Sequence, residues 1–137
     1  MSRDQLREMY RAAWRKFRAQ QVLTPLEKQV VAVISEHPEY RVIVESAASD
    51  LANYSPRSGQ INPWLHMGLH LAIREQVATN RPAGIAELHA KLATATGGAH
   101  EAEHRMLEVL AEQIWEAQRA GKPPDEDAYL ERLRRLG

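Results

Sequence analysis

The 137-residue chain contains no cysteine. That excludes disulfides, thiolate zinc sites, iron–sulfur ligation and a cysteine nucleophile, and it fits a reducing compartment. The chain has no net charge, with 18 basic and 18 acidic residues, so no whole-protein field draws in nucleic acid or an acidic membrane. No apolar run approaches the roughly 20 residues that span a bilayer. The start, M-S-R-D-Q-L-R-E, lacks the apolar segment of a signal peptide, and a cytoplasmic protein is expected. No sustained alternation of polar and apolar residues marks a strand. There is no glycine-rich phosphate loop and no G-x-S-x-G, so nucleotide use and serine hydrolysis have no support. No repeat of fixed period and no low-complexity segment interrupts the chain.

What is present is helix punctuation. Ser2 with Gln5 reads as a capping box before Leu6, Met9, Tyr10, Ala13, Trp14 and Phe17. Thr24-Pro25-Leu26-Glu27 is a stronger box, and the helix it opens should end near His37, before Pro38. Pro38 opens another helix through Tyr40, Val44, Ala47 and Leu51, and 53–61 reads as a loop. Asn62 can cap and Pro63 can start a helix that is apolar on nearly every side to Val77. Pro82 starts a shorter helix closed by Gly97-Gly98. Another runs from about Ala99 to Ala120 and stops at Gly121, and a last one carries Tyr129, Leu130, Leu133 and Leu136. The expectation is one all-α domain, 1–137, a compact bundle of six to seven helices with the Asn62–Val77 helix most buried.

Two histidine pairs stand at helical spacing. His66 and His70 are one turn apart on the central helix; His100 and His104 recur in H-E-A-E-H. Short connections make neighbouring helices antiparallel, so the central helix and the Ala99 helix are expected to run parallel, with both pairs in their first two turns. At 100° per residue, His100, Glu103 and His104 fall on the apolar face of Leu107, Leu110 and Ile114, and His66 and His70 flank the face of Leu65, Leu69, Ile73 and Gln76. Four imidazoles and a carboxylate facing an interior must be satisfied. One answer is a divalent ion, zinc or iron, held by His66, His70, His100, His104 and Glu103. The other is a metal-free His–Glu network with trapped water.

Other patterns carry less. H-E-A-E-H matches H-E-x-x-H and H-x-x-E-H, with Glu101 or Glu103 as the base, but no third-ligand extension follows and no strand holds a peptide. A carboxylate-bridged di-metal site needs a second E-x-x-H, and the position three before His66 is Pro63. His37, Glu39 and Tyr40 rank second, because antiparallel counting puts them away from the histidine end. His89 reads as a surface residue. Arg74 and Glu75 on the central helix read as charges that pair or reach its exposed end. Arg3, Arg7, Arg11, Arg15 and Arg18 stripe the first helix. A solvated face is favoured there over a phosphate-backbone contact, and a metal-free protein- or nucleic-acid-interaction module using that stripe, with a buried His–Glu network, is the alternative function.

At N-P-W-L-H-M-G-L-H-L-A-I-R-E-Q, R-P-A-G-I and H-E-A-E-H-R-M, with E-H-P-E-Y, L-T-P-L-E and P-D-E-x-x-Y-L beside them, nearly the whole chain resembles a family of small proteobacterial proteins described as a domain of unknown function. The resemblance implies a stand-alone bacterial cytoplasmic protein and contributes no activity, ligand or partner. Family members often carry His after E-H-P-E-Y, where this chain has Arg41, which counts against that corner as a metal site.

Overall fold

A computed structural model describes residues 3–45 and 63–136. Among them are seven helices and no strand: α1 (Arg3–Arg18), α2 (Pro25–Glu36), α3 (Pro38–Glu45), α4 (Pro63–Thr79), α5 (Ile85–Thr96), α6 (Ala99–Ala120) and α7 (Glu126–Arg134). The expected caps at Ser2 and Asn62, the loop over 53–61 and the continuation of α3 through Ala47 and Leu51 lie outside the described residues. Internal contacts divide the chain into two compact units, Met1–Leu71 and Ala72–Gly137, the boundary falling within α4. No helix among the described residues is long and apolar enough to cross a membrane.

In the first unit, the Thr24 box forms as its residues dictate. Glu27 N–H donates to Thr24 Oγ1 at 3.2 Å and Thr24 N–H donates to Glu27 Oε1 at 2.9 Å, so two orphan donors of the helix start are satisfied. The Thr24 backbone N–H, and then Lys16 at 3.0 Å, hold the Glu27 carboxyl below its usual range. Pro38 ends α2, and α3 begins there. The spacing of Tyr10, Ala13 and Trp14 turns one face of α1 onto Val30, Val33 and Ile34 of α2, with Val44, Trp64 and Met67 in the same core. Trp64 lies beneath two guanidinium groups, Arg7 at 5.5 Å and Arg11 at 5.3 Å from its ring centre.

Tyr10 is 1% exposed, and burial pushes its phenol up to about 12. The unfolded phenol titrates near 10, so the folded state favours the neutral form. The stability this contributes is intact below pH 10 and is lost as pH rises toward 12. Urea denaturation at pH 9 and pH 11.5 should show a fall of about 2 kcal/mol attributable to this group. Tyr10→Phe should reduce the slope, the buried Tyr129 phenol still contributing, and an equal slope in that variant would refute the assignment.

In the second unit, α5 packs along α6, and α7 closes on both. The expected start of α5 at Pro82 is corrected to Ile85. Asn80 sits at φ 52, and its side chain accepts from Gly84 N–H and Ala86 N–H, both at 3.1 Å. The turn therefore consumes 80–84 before the helix begins. Gly97, at φ 96, ends α5 in the left-handed conformation that glycine adopts without strain. Asp125 caps α7 by accepting from Ala128 N–H. Tyr129, buried on α7, donates its hydroxyl to Gln76 Oε1 at 2.7 Å.

The helix read as apolar all round is less evenly buried than that reading implies. Trp64, Met67, Leu69, His70 and Ile73 of α4 are buried, whereas Leu65 is 57% exposed. The buried stripe is therefore rotated from the expected Leu65 face toward His70.

Candidate metal centre

The centre is built in the first unit. His66 and His70 project from successive turns of α4, their ring centres 4.8 Å apart and their Nε2 atoms 3.0 Å apart. His70 is fully buried and His66 half-buried. His37 joins them from the C-cap of α2, the residue just past Glu36. Because Pro38 interrupts the helix, His37 takes φ −126 and ψ 77, and its ring lies 4.5 Å from that of His70 and 5.3 Å from that of His66. His37 Nδ1 lies 2.8 Å from the Val33 carbonyl oxygen. A carbonyl only accepts, so Nδ1 carries the proton and Nε2 keeps its lone pair. Ligating histidines are typically oriented by this kind of bond on the other ring nitrogen.

One ring nitrogen from each of His37, His66 and His70 lies within 4.8 Å of the other two. Two imidazole lone pairs 3.0 Å apart repel unless a proton or a cation lies between them. Two nitrogens about 2.1 Å from one ion, at tetrahedral or octahedral angles, are roughly 3.0–3.4 Å apart. The His66–His70 spacing falls in that range. The donor set suits zinc, iron, nickel or copper, all of which take imidazole, better than magnesium or calcium, which take oxygen. Tyr40 covers one side, stacked on His37 at 5.1 Å and edge-on to His66 at 5.7 Å. Burial first, then the Glu39 charge, raise its phenol above the ordinary range.

The other expected ligands lie in the second unit. His100 and His104 meet edge to face at 4.3 Å; His100 is exposed at the start of α6 and His104 half-buried. Glu103 is buried, and Arg74 Nε donates to both of its oxygens, at 3.0 and 3.2 Å. Arg74 is thus a pairing charge, as its place on an apolar helix suggests. Glu101 is exposed and pairs with Arg105 one turn on. His89 is half-buried on α5.

His37 is the residue that sequence reasoning ranked too low. The expectation that it lies away from the histidine pair of α4 is overturned by the ring distances. A histidine immediately before proline, at a helix end with its ring turned back, was the available signal. Of the α1 stripe, Arg7 is buried over Trp64, and Arg11 donates to the Val44 carbonyl at 3.3 Å. Arg15 pairs with Glu8 and Arg18 with Glu45, both on the exposed side.

Residues 2–135 match the model of a family described as Domain of unknown function (DUF1841). No curated protein and no solved structure matches the chain.

Proposed function

The chain belongs to the DUF1841 family, and for this member we propose the binding of one transition-metal ion, zinc or iron, by His37, His66 and His70. The observation that carries this reading is the 3.0 Å separation of the two Nε2 atoms on α4, supported by a third imidazole whose tautomer is set by Val33. With His37, His66 and His70 alone as ligands, a metal would keep a coordination position open and would supply Lewis acidity to a bound water or substrate oxygen; a fourth protein donor would close a tetrahedral site. The side chains hold and orient. The Val33 carbonyl fixes the His37 ring, the helix fixes the other two, and Tyr40 shields one flank. His104, the half-buried member of H-E-A-E-H, is proposed as a fourth donor on its residue type and spacing, with His100 and Glu103 as supporting groups.

Elemental analysis of untagged protein should find close to one equivalent of metal per chain. After stripping with chelator, zinc or ferrous iron should restore it. A protein that takes up neither, at metal concentrations in the micromolar range, is not a metal protein of this kind. His104→Ala with full metal content would remove His104 from the set and leave the three-histidine site standing.

A further inference from the structure

The second unit holds a cavity of about 680 Å3 between the end of α4, the 81–83 turn, α6 and the start of α7. Ligand pockets commonly run from 300 to 1,000 Å3, with apolar walls and a few placed polar groups. Here Leu110, Ile114, Pro123 and Pro124 supply apolar wall. The polar groups are distinctive. Gln113 is 4% exposed, and its Nε2 donates to the Asp125 carbonyl at 3.1 Å. That bond orients the amide, because the carbonyl could not accept from Oε1. Gln113 Oε1 is thereby an acceptor, buried and without a donor among the described residues. Gln76 uses its Oε1 to accept from Tyr129, which leaves its NH2 as the group to offer.

Two opposite charges also line this cavity. Arg81 and Glu126 both line it, both are exposed, and no ion pair joins them among the described residues. The nearby Asp125 carboxylate is committed to capping α7. We propose that this cavity binds a small zwitterion with an apolar body, of dipeptide class. Its carboxylate faces Arg81 and the Gln76 amide, its ammonium group faces Glu126 on the side that Gln113 lines, and its side chains lie on the proline and aliphatic wall. The inference is independent of the metal centre, since it uses none of the histidines.

The test titrates the full chain with the dipeptide Leu-Leu by ligand-observed NMR, beside its N-acetylated, C-amidated form. The dipeptide should bind saturably, and the capped form at least about threefold more weakly, the scale set by exposed charge pairs. Arg81→Gln and Glu126→Gln, both at exposed positions, should fold normally and each weaken dipeptide binding by a similar factor. Absence of saturable dipeptide binding up to 10 mM (roughly the −3 kcal/mol level) overturns the proposal. So does equal affinity for the capped form, or dipeptide affinity unchanged in both variants.

Discussion

His70→Ala is expected to abolish the metal binding proposed for the first unit. Imidazoles are the whole donor set described for the centre in the first unit, and the His70 ring, at 0% exposure, lies closest to both others. Loss of a partner that merely orients a ligand weakens metal binding about 10–100-fold; loss of a ligand should exceed that. Purified His70→Ala should therefore carry less than about a tenth of the wild-type metal. Ligand-linked stability follows. An ion present at about 100 times its dissociation constant stabilises the folded state by about 2.7 kcal/mol, so zinc should raise the melting temperature of the stripped wild type and leave that of the variant unchanged. Because a buried ring is being deleted, His66→Ala is the control: its side chain is only half-buried, and it should keep wild-type helicity by circular dichroism while losing metal equally. Full metal content in both variants would end the metal reading.

Arg74→Met should cost about 3 kcal/mol, near the lower end for breaking a buried ion pair, since the Arg74 side chain keeps 22% exposure and some solvent remains near it. The cost arises from Glu103, whose side chain is 9% exposed and loses the guanidinium that addresses both of its oxygens. Against a total stability of about 5–15 kcal/mol, this is a large fraction. Replacing both partners, Arg74→Met with Glu103→Met, should recover most of it, because no charge is then left stranded. Urea denaturation of the two single variants and the double variant gives the coupling directly. Additive single costs below about 0.5 kcal/mol would show that the pair is solvated and of little structural weight.

Much of the helical order is legible from punctuation. Thr24-Pro25 with Glu27, Pro38, Gly97 and Gly121 each stop or start a helix through a local mechanism that needs no tertiary partner. The start of α5 was misplaced by three residues, because Pro82 resembles a helix opener, whereas the Asn80 side chain builds a turn across it. The site was half legible. His66 and His70 share a face by periodicity alone. His37 ranks second by sequence because helix direction is counted there through 46–62, which lie outside the described residues. The Arg74–Glu103 pair illustrates a different limit. Pairing of Arg74 was readable from its apolar surroundings, but the partner lies 29 residues away, beyond any local rule.

The 3.0 Å gap between the two ring nitrogens on α4 has a consequence for how an ion would arrive. Without an ion, a neutral pair at this spacing would share one proton across the gap, one imidazole as the Nε2–H tautomer and the other as the Nδ1–H tautomer. Both rings must present bare Nε2 lone pairs to a cation. Binding of an ion at both Nε2 atoms would require the Nε2–H ring to give up that proton and take one up at Nδ1, so that both rings stay neutral and no net proton is released. Nitrogen-15 NMR of the side chains should show two unlike imidazoles becoming alike as zinc is added. The pair would act as a lock whose resting key is the proton itself.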